Sequence, residues 1–165
     1  MKRGMLAALA LVAGVMGAQG AAAQERLVSA VEPESVRALF ETWGYRPTAM
    51  EGVGDQPLFQ ATIDDLQNVI VFGGCSAGRD CTHIVLLVTY NDVPAAPYEW
   101  LNRQNFDYNL VTAMRREDGL LTLRTGIMMG RAGVPVSVVR AALDDWIAAN
   151  NEIASRAVEA GLARE

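Results

Sequence analysis

Two periods of hydrophobicity divide this chain of 165 residues into helices and strands. Val36, Leu39, Phe40 and Trp43 fall at i, i+3, i+4 and i+7, the spacing of one helical face. Pro33 and Glu34 suit a first helical turn and Gly44 suits a helix end, so the pattern predicts a helix over Pro33–Thr42. Tyr45 to Gly54 contains Pro47, Gly52 and Gly54 and reads as a loop. Leu58 to Ile63 alternates Phe59, Ala61 and Ile63 against Gln60 and Thr62, as a half-buried strand does. Asp64-Asp65 begins a turn, and Val69 to Phe72 is the next strand. Gly73-Gly74 interrupts it and predicts a bulge. Thr82 to Tyr90 is a third strand, with Ile84, Leu86 and Val88 on one face and Val85 and Leu87 on the other. A strand apolar on both faces needs cover on both. Helices are expected over one face, and a partner subunit or a long connection over the other.

The second half repeats the two periods. Pro97 opens a short helix through about Phe106. Leu110–Arg116 and Leu120–Ile127 form a hairpin, with Asp118-Gly119 as a strong turn signal at its tip. Met128 to Gly133 is a glycine-punctuated loop. The last helix begins near Pro135 or Val136 and runs to about Gly161. Val136, Val139, Leu143, Trp146, Ile147 and Ile153 form its apolar stripe, and Asp144, Asp145, Asn150, Asn151 and Glu152 lie largely off it. The order is α-β-β-β-α-β-β-α. It lacks strand–helix–strand alternation, so the expected class is α+β with an antiparallel sheet, not a Rossmann fold.

The first residues follow neither period. Lys2 and Arg3 precede an apolar run, Met5 to Met16, which is shorter than the roughly 20 apolar residues of a membrane span. Ala21-Ala22-Ala23 has the small-residue pattern of a signal-peptidase site. Residues 1–23 are therefore expected to be a cleaved signal peptide, and residues 24–165 a single exported domain, periplasmic or secreted. Export changes how Cys75 and Cys81, the only two cysteines, are read. In an oxidising compartment a close pair forms a disulfide. Five residues separate them, not the two of a redox C-x-x-C motif. The expected bridge clips strands two and three together and contributes on the order of 2 kcal/mol.

Without Lys2 and Arg3 the 14 basic residues become 12, against 19 acidic ones, a net charge of −7. That sign opposes nucleic acid and anionic lipid, whose phosphates need clustered Lys and Arg. Catalytic chemistry finds little material. His83 is the only histidine, stands at the start of a strand, and no serine lies in G-x-S-x-G. One histidine and a bridged cysteine pair do not make a metal site. Asp64-Asp65 reads as a turn and Asp144-Asp145 as a solvated helix face, not as paired catalytic acids. Gly126 to Gly133 lacks a phosphate-binding Lys-Ser/Thr. No catalytic residue, metal or cofactor is expected.

Asn102 and Asn105 lie one turn apart on the short helix. Asparagines often bond local backbone, and binding of a ligand or partner is the alternative. Met128-Met129 fits either a core plug or an adaptable contact.

The chain resembles the YbjN-domain family of bacterial proteins, described as sensory transduction regulators. The resemblance is carried by Trp43-Gly44-Tyr45, Val69-Ile70-Val71-Phe72, Leu101-Asn102-Arg103-Gln104-Asn105-Phe106, and Asp118-Gly119 followed by Leu121-Thr122-Leu123. It spans roughly Val31 to Ala148 and departs from the usual member in its leader and its cysteine pair. It implies a fold similar to type III secretion chaperones, which commonly pair as dimers, and implies no catalytic residues. The expected function is therefore a non-enzymatic exported binding module, chaperone-like or regulatory. Its protein contact or homodimer would be made through the sheet, around Ile84, Leu86 and Val88. The alternative is a small-ligand-binding or envelope-stress protein with a pocket between the sheet and the last helix.

Overall fold

The computed structural model describes residues 25–163; the expected leader and its cleavage point before Gln24 lie outside the described residues. In chain order the elements are β1 (Leu27–Val28), α1 (Pro33–Thr42), β2 (Arg46–Pro47), β3 (Glu51–Val53), β4 (Gln56–Ile63), β5 (Leu66–Gly73), β6 (His83–Pro94), α2 (Tyr98–Asp107), β7 (Thr112–Arg115), β8 (Leu120–Met128), β9 (Val134–Pro135) and α3 (Val136–Glu159). The longer elements make an α+β fold. Seven strands form one antiparallel sheet in the order β2-β4-β5-β6-β8-β7, with β3 also paired to β4. β1 and β9 pair separately. The segment expected as a loop after α1 thus holds two short strands, β2 and β3, that run along the outer edge of β4.

Local chemistry sets the joints. Gly44 ends α1 with a φ of +84°. Its N–H donates to the Glu41 carbonyl at 3.0 Å and the Tyr45 N–H to the Phe40 carbonyl at 3.2 Å, the paired closing bonds of a glycine-ended helix. The Tyr45 and Phe40 rings lie 6.0 Å apart, the apolar contact such an end favours. Phe40 then meets Phe59 of β4 edge-on at 5.4 Å, which seats α1 on the sheet. Asp64 and Asp65 join β4 to β5 with φ of 48° and 62°, a two-residue turn whose positive φ matches strand twist.

No bulge forms at Gly73-Gly74. Gly73 stays in register opposite His83, and the one break in the β6 ladders lies at the other end of that strand, between Tyr90 and Pro94. Gly73 instead makes room for a ring. A Cβ there would sit 2.2 Å from His83 Nε2, so the imidazole occupies the space a side chain would take.

One face of the sheet is the core. Phe59, Ile70, Phe72, Ile84, Leu86 and Leu123 are all fully buried on it, under α1 and α3. α3 is fixed there by polar contacts within the apolar layer. Trp146 Nε1 donates to Asn68 Oδ1 of β5 at 2.9 Å, and Asn68 donates to the Leu66 carbonyl at 2.9 Å. One turn further on, Tyr90 of β6 donates to Asn150 Oδ1 at 3.0 Å, while Asn150 donates to the Trp146 carbonyl at 2.7 Å. Burial, then the nearby Asp92, push the Tyr90 phenol well above its ordinary value, so it remains a neutral donor. Asn150 lies on the buried stripe, not off it as its polarity implies, because Tyr90 satisfies it there. No buried side-chain N or O among the described residues lacks a partner.

Substituting Asn68 by Ala would leave the Trp146 N–H buried without an acceptor. That costs about 1–3 kcal/mol. Urea titration of Asn68→Ala should show a midpoint lowered accordingly, whereas Gln67→Ala, exposed one residue away, should stay within about 0.5 kcal/mol of the parent.

Candidate functional site

Cys75 and Cys81 are bridged. Between them Ser76 and Arg79 exchange backbone hydrogen bonds of 2.7 and 3.0 Å around Ala77-Gly78, both at positive φ. The loop is a small hairpin set on the end of β5 and β6. His83 accompanies it: its ring covers Gly73, and Nδ1 lies 3.2 Å from the Thr82 hydroxyl. This histidine has a packing role, and no carboxylate among the described residues hydrogen-bonds to it. Among the described residues no group of three or more His, Cys, Asp or Glu side chains is gathered as a metal site. The acidic pairs are dispersed as well. Asp64 accepts from Asn151 at 2.8 Å, and Asp144 pairs with Arg140 at 3.0 Å.

The two asparagines part company. Asn105 reaches the free edge of β7, where its Oδ1 accepts from the Ala113 N–H at 2.6 Å and its Nδ2 donates to the Ala113 carbonyl at 3.0 Å. One carboxamide thereby replaces a neighbouring strand and seals that edge. Asn102 is exposed and makes no side-chain hydrogen bond among the described residues. It lies one turn from Tyr98 and one from Phe106, both exposed, and Arg115 lies over the Tyr98 ring at 4.1 Å.

Ile84, Leu86 and Val88 do not fit the partner contact expected of them. They point inward and are almost wholly buried under α1 and α3. Their neighbours Val85 and Leu87 take the outward face. Cross-strand pairing aligns Leu58, Val71 and Val85 in one row, and Val69 and Leu87 in the next. All five are half-buried, and no helix lies over them. Gln60 and Arg124 end the second row, and Thr62, Gln67 and Thr89 lie beyond it. The alternation along β6 is thus legible in sequence, but which phase faces the helices depends on the docking of α3.

Side chains and short strands cover parts of both sheet edges. At β4 the Thr48 N–H donates to the Gln60 carbonyl at 2.8 Å, and the Gln60 N–H donates to the Thr48 hydroxyl at 3.0 Å, continuing the cover of β2 and β3. At the other edge β7 is shorter than its sequence pattern. The Val111 N–H turns back to the Tyr108 carbonyl, so pairing with β8 begins only at Thr112 opposite Arg124. The last residues of β8 have no strand beside them on that side. A groove of about 210 Å³ opens there between β8 and α3, lined by Leu110, Val111, Ile127, Val138, Ala142 and Trp146. It leads into a shallower depression bordered by Asp107, Tyr108, Asp145 and Glu152. Arg156 joins two of these acids, pairing with Asp107 and with Glu152 at 3.0 Å, and these carboxylates raise its already high pKa. Neither the groove nor the short β7 has a signal in the residue pattern.

If Asn105 seals the β7 edge, Asn105→Ala should lower stability by about 1–3 kcal/mol, since two backbone groups lose their partner. Asn102→Ala should change it by less than about 0.5 kcal/mol. Thermal or denaturant unfolding of the two variants side by side checks both.

The sequence matches the YbjN family, described as "Putative bacterial sensory transduction regulator", over residues 32–157. No curated protein matches it. Among solved structures the fold is similar to that of an uncharacterized protein from Methanothermobacter thermautotrophicus, with a TM-score of 0.54 at 12% identity, covering 76% of this chain and 96% of that one. That likeness concerns architecture alone. The helix end at Gly44, the β5 strand, α2 with Asn105 on the β7 edge, and the Asp118-Gly119 hairpin all fall within the matched residues, and the chain belongs to the YbjN family.

Proposed function

We propose that this protein is an exported, non-enzymatic binding module, regulatory or chaperone-like, that acts by holding a protein partner against the outer face of its sheet. The observation that carries this reading is the patch of Leu58, Val69, Val71, Val85 and Leu87. These are aligned aliphatic side chains on one sheet face, half-buried, and bordered by polar residues and by Arg124 beside Leu87. Contiguous exposed apolar area of this kind marks interaction surfaces. The family description, a regulator, is consistent with it. Export is supported by the leader pattern and by the Cys75–Cys81 bridge, a bond that persists in oxidising compartments. The small-ligand alternative has a place between the sheet and α3, where the groove of about 210 Å³ leads into a depression of about 620 Å³, but both are open clefts rather than enclosed pockets that bury most of a ligand.

The partner is a second protein or a second copy of the chain. Light scattering of the mature protein at high concentration, together with capture from periplasmic extract, distinguishes them. Either a dimer mass or a recovered partner is expected, and Val85→Lys should abolish it while circular dichroism stays unchanged. A monomer that recovers nothing would contradict the reading, and so would an association that Val85→Lys leaves intact.

A further inference from the structure

The uncovered end of β8 and the groove beside it form one feature. Pairing of β7 with β8 stops at Thr112 opposite Arg124, while β8 continues to Met128. Strand geometry fixes which backbone groups are left over. Ala113 turns its N–H and C=O outward to Asn105, so its partner Leu123 faces β6. By alternation Gly126 and Met128 direct their N–H and C=O groups away from β6, into the vacant position. Both residues are exposed, and no hydrogen bond from another part of the chain reaches them among the described residues. Glycine at such a place lets another backbone approach closely. The groove lies on the α3 side of this edge. Leu110, Met128 and Val138 line it, three of the eight large apolar side chains most exposed on the surface.

We propose that this site takes a short extended segment of a partner protein, added as a strand along Gly126–Met128, with an apolar side chain in the groove and a Lys or Arg toward Asp145. An unpaired edge with an adjoining side-chain pocket is the arrangement used for strand addition. The charge follows from the rim. Asp145 is exposed at the junction of groove and depression and has no cationic partner among the described residues. Asp107 and Glu152 beyond it share the single Arg156. The rim therefore carries a net negative charge that suits a cationic segment and repels an acidic one. The proposal rests on the binding-module reading and adds to it the partner's chemistry and conformation. The β8 edge adjoins the outer face, with Gly126 opposite Val85, so the two are tested apart at Leu58, three strands away on β4.

The probe is a fluorescent peptide, Thr-Lys-Thr-Val-Thr-Lys-Thr, whose lysines and valine share one face of a strand, titrated by anisotropy against the mature chain. Its comparators carry Glu for every Lys, or N-methyl groups on one or the other alternate set of amides. Saturable binding of the cationic peptide is expected, at least tenfold tighter than that of the acidic one. A strand paired on one side presents one alternate set of N–H groups to the edge. Methylating that set should therefore weaken binding at least tenfold, and methylating the other should change it less than threefold. Asp145→Lys, at an exposed helical position, should also weaken it at least tenfold. Leu58→Lys should leave it unchanged. No saturable binding, equal response to both methylation patterns, or indifference to Asp145→Lys would each overturn the proposal. If the peptide fails while Val85→Lys still disrupts assembly, the edge site falls and the outer-face reading stands.

Discussion

The seating of α3 depends on two side-chain hydrogen bonds buried in an apolar layer. Trp146 donates to Asn68, and Tyr90 donates to Asn150. A helix lying on a sheet through aliphatic contacts alone can slide or rotate at small cost, because such contacts are not directional. Buried polar groups remove that freedom, since any shift leaves a donor or acceptor unpaired in a medium where that is costly. The two donors and acceptors span β5, β6 and one turn of α3, so they set both its height and its rotation. Everything that faces outward follows. With α3 held on this face, Ile84 and Leu86 are covered and Val85 and Leu87 are not. Its distance from the end of β8 also defines the groove.

A second constraint acts at the sheet margins. Unpaired strand edges invite association with other chains, and proteins ordinarily block them. Here the β4 edge is blocked by Thr48 with β2 and β3, and the β7 edge by the Asn105 carboxamide. Against that background the open end of β8 is conspicuous. The disulfide and the His83 ring over Gly73 stiffen the sheet corner at the opposite end of the β5–β6 pair from the Asp64-Asp65 turn. What the fold offers a partner is shape, apolar surface and unpaired backbone.

Much of this architecture is legible in the residues because it rests on local rules. Gly44, Asp118-Gly119 and the i, i+3, i+4 stripe of α1 each carry their own signal, and the helices and long strands fall close to where those signals place them. Where pattern and structure differ, the cause is shared: contacts between segments distant in sequence. Gly73 has the sequence signature of a bulge, but its partner is a ring ten residues on. Asn150 has the polarity of a solvent-facing residue, but Tyr90 receives it. Ile84, Leu86 and Val88 are as plausible a contact face as Val85 and Leu87, because strand periodicity shows that two faces exist without showing which one the helices take. The open edge of β8 arises from a turn at Val111 that no residue type announces.

The YbjN family, to which the chain belongs, is described as a "Putative bacterial sensory transduction regulator", a description that does not say what is regulated. If function resides in surfaces, it belongs to the outer sheet face and the adjoining end of β8. Site-specific photo-crosslinking in the living cell tests this most directly, with a photoreactive residue placed in turn at Val85, Met128 and Asn102. Protein adducts are predicted from Val85 and Met128 and none from Asn102. Adducts from Asn102 alone, or from no position, would contradict a role for these two surfaces.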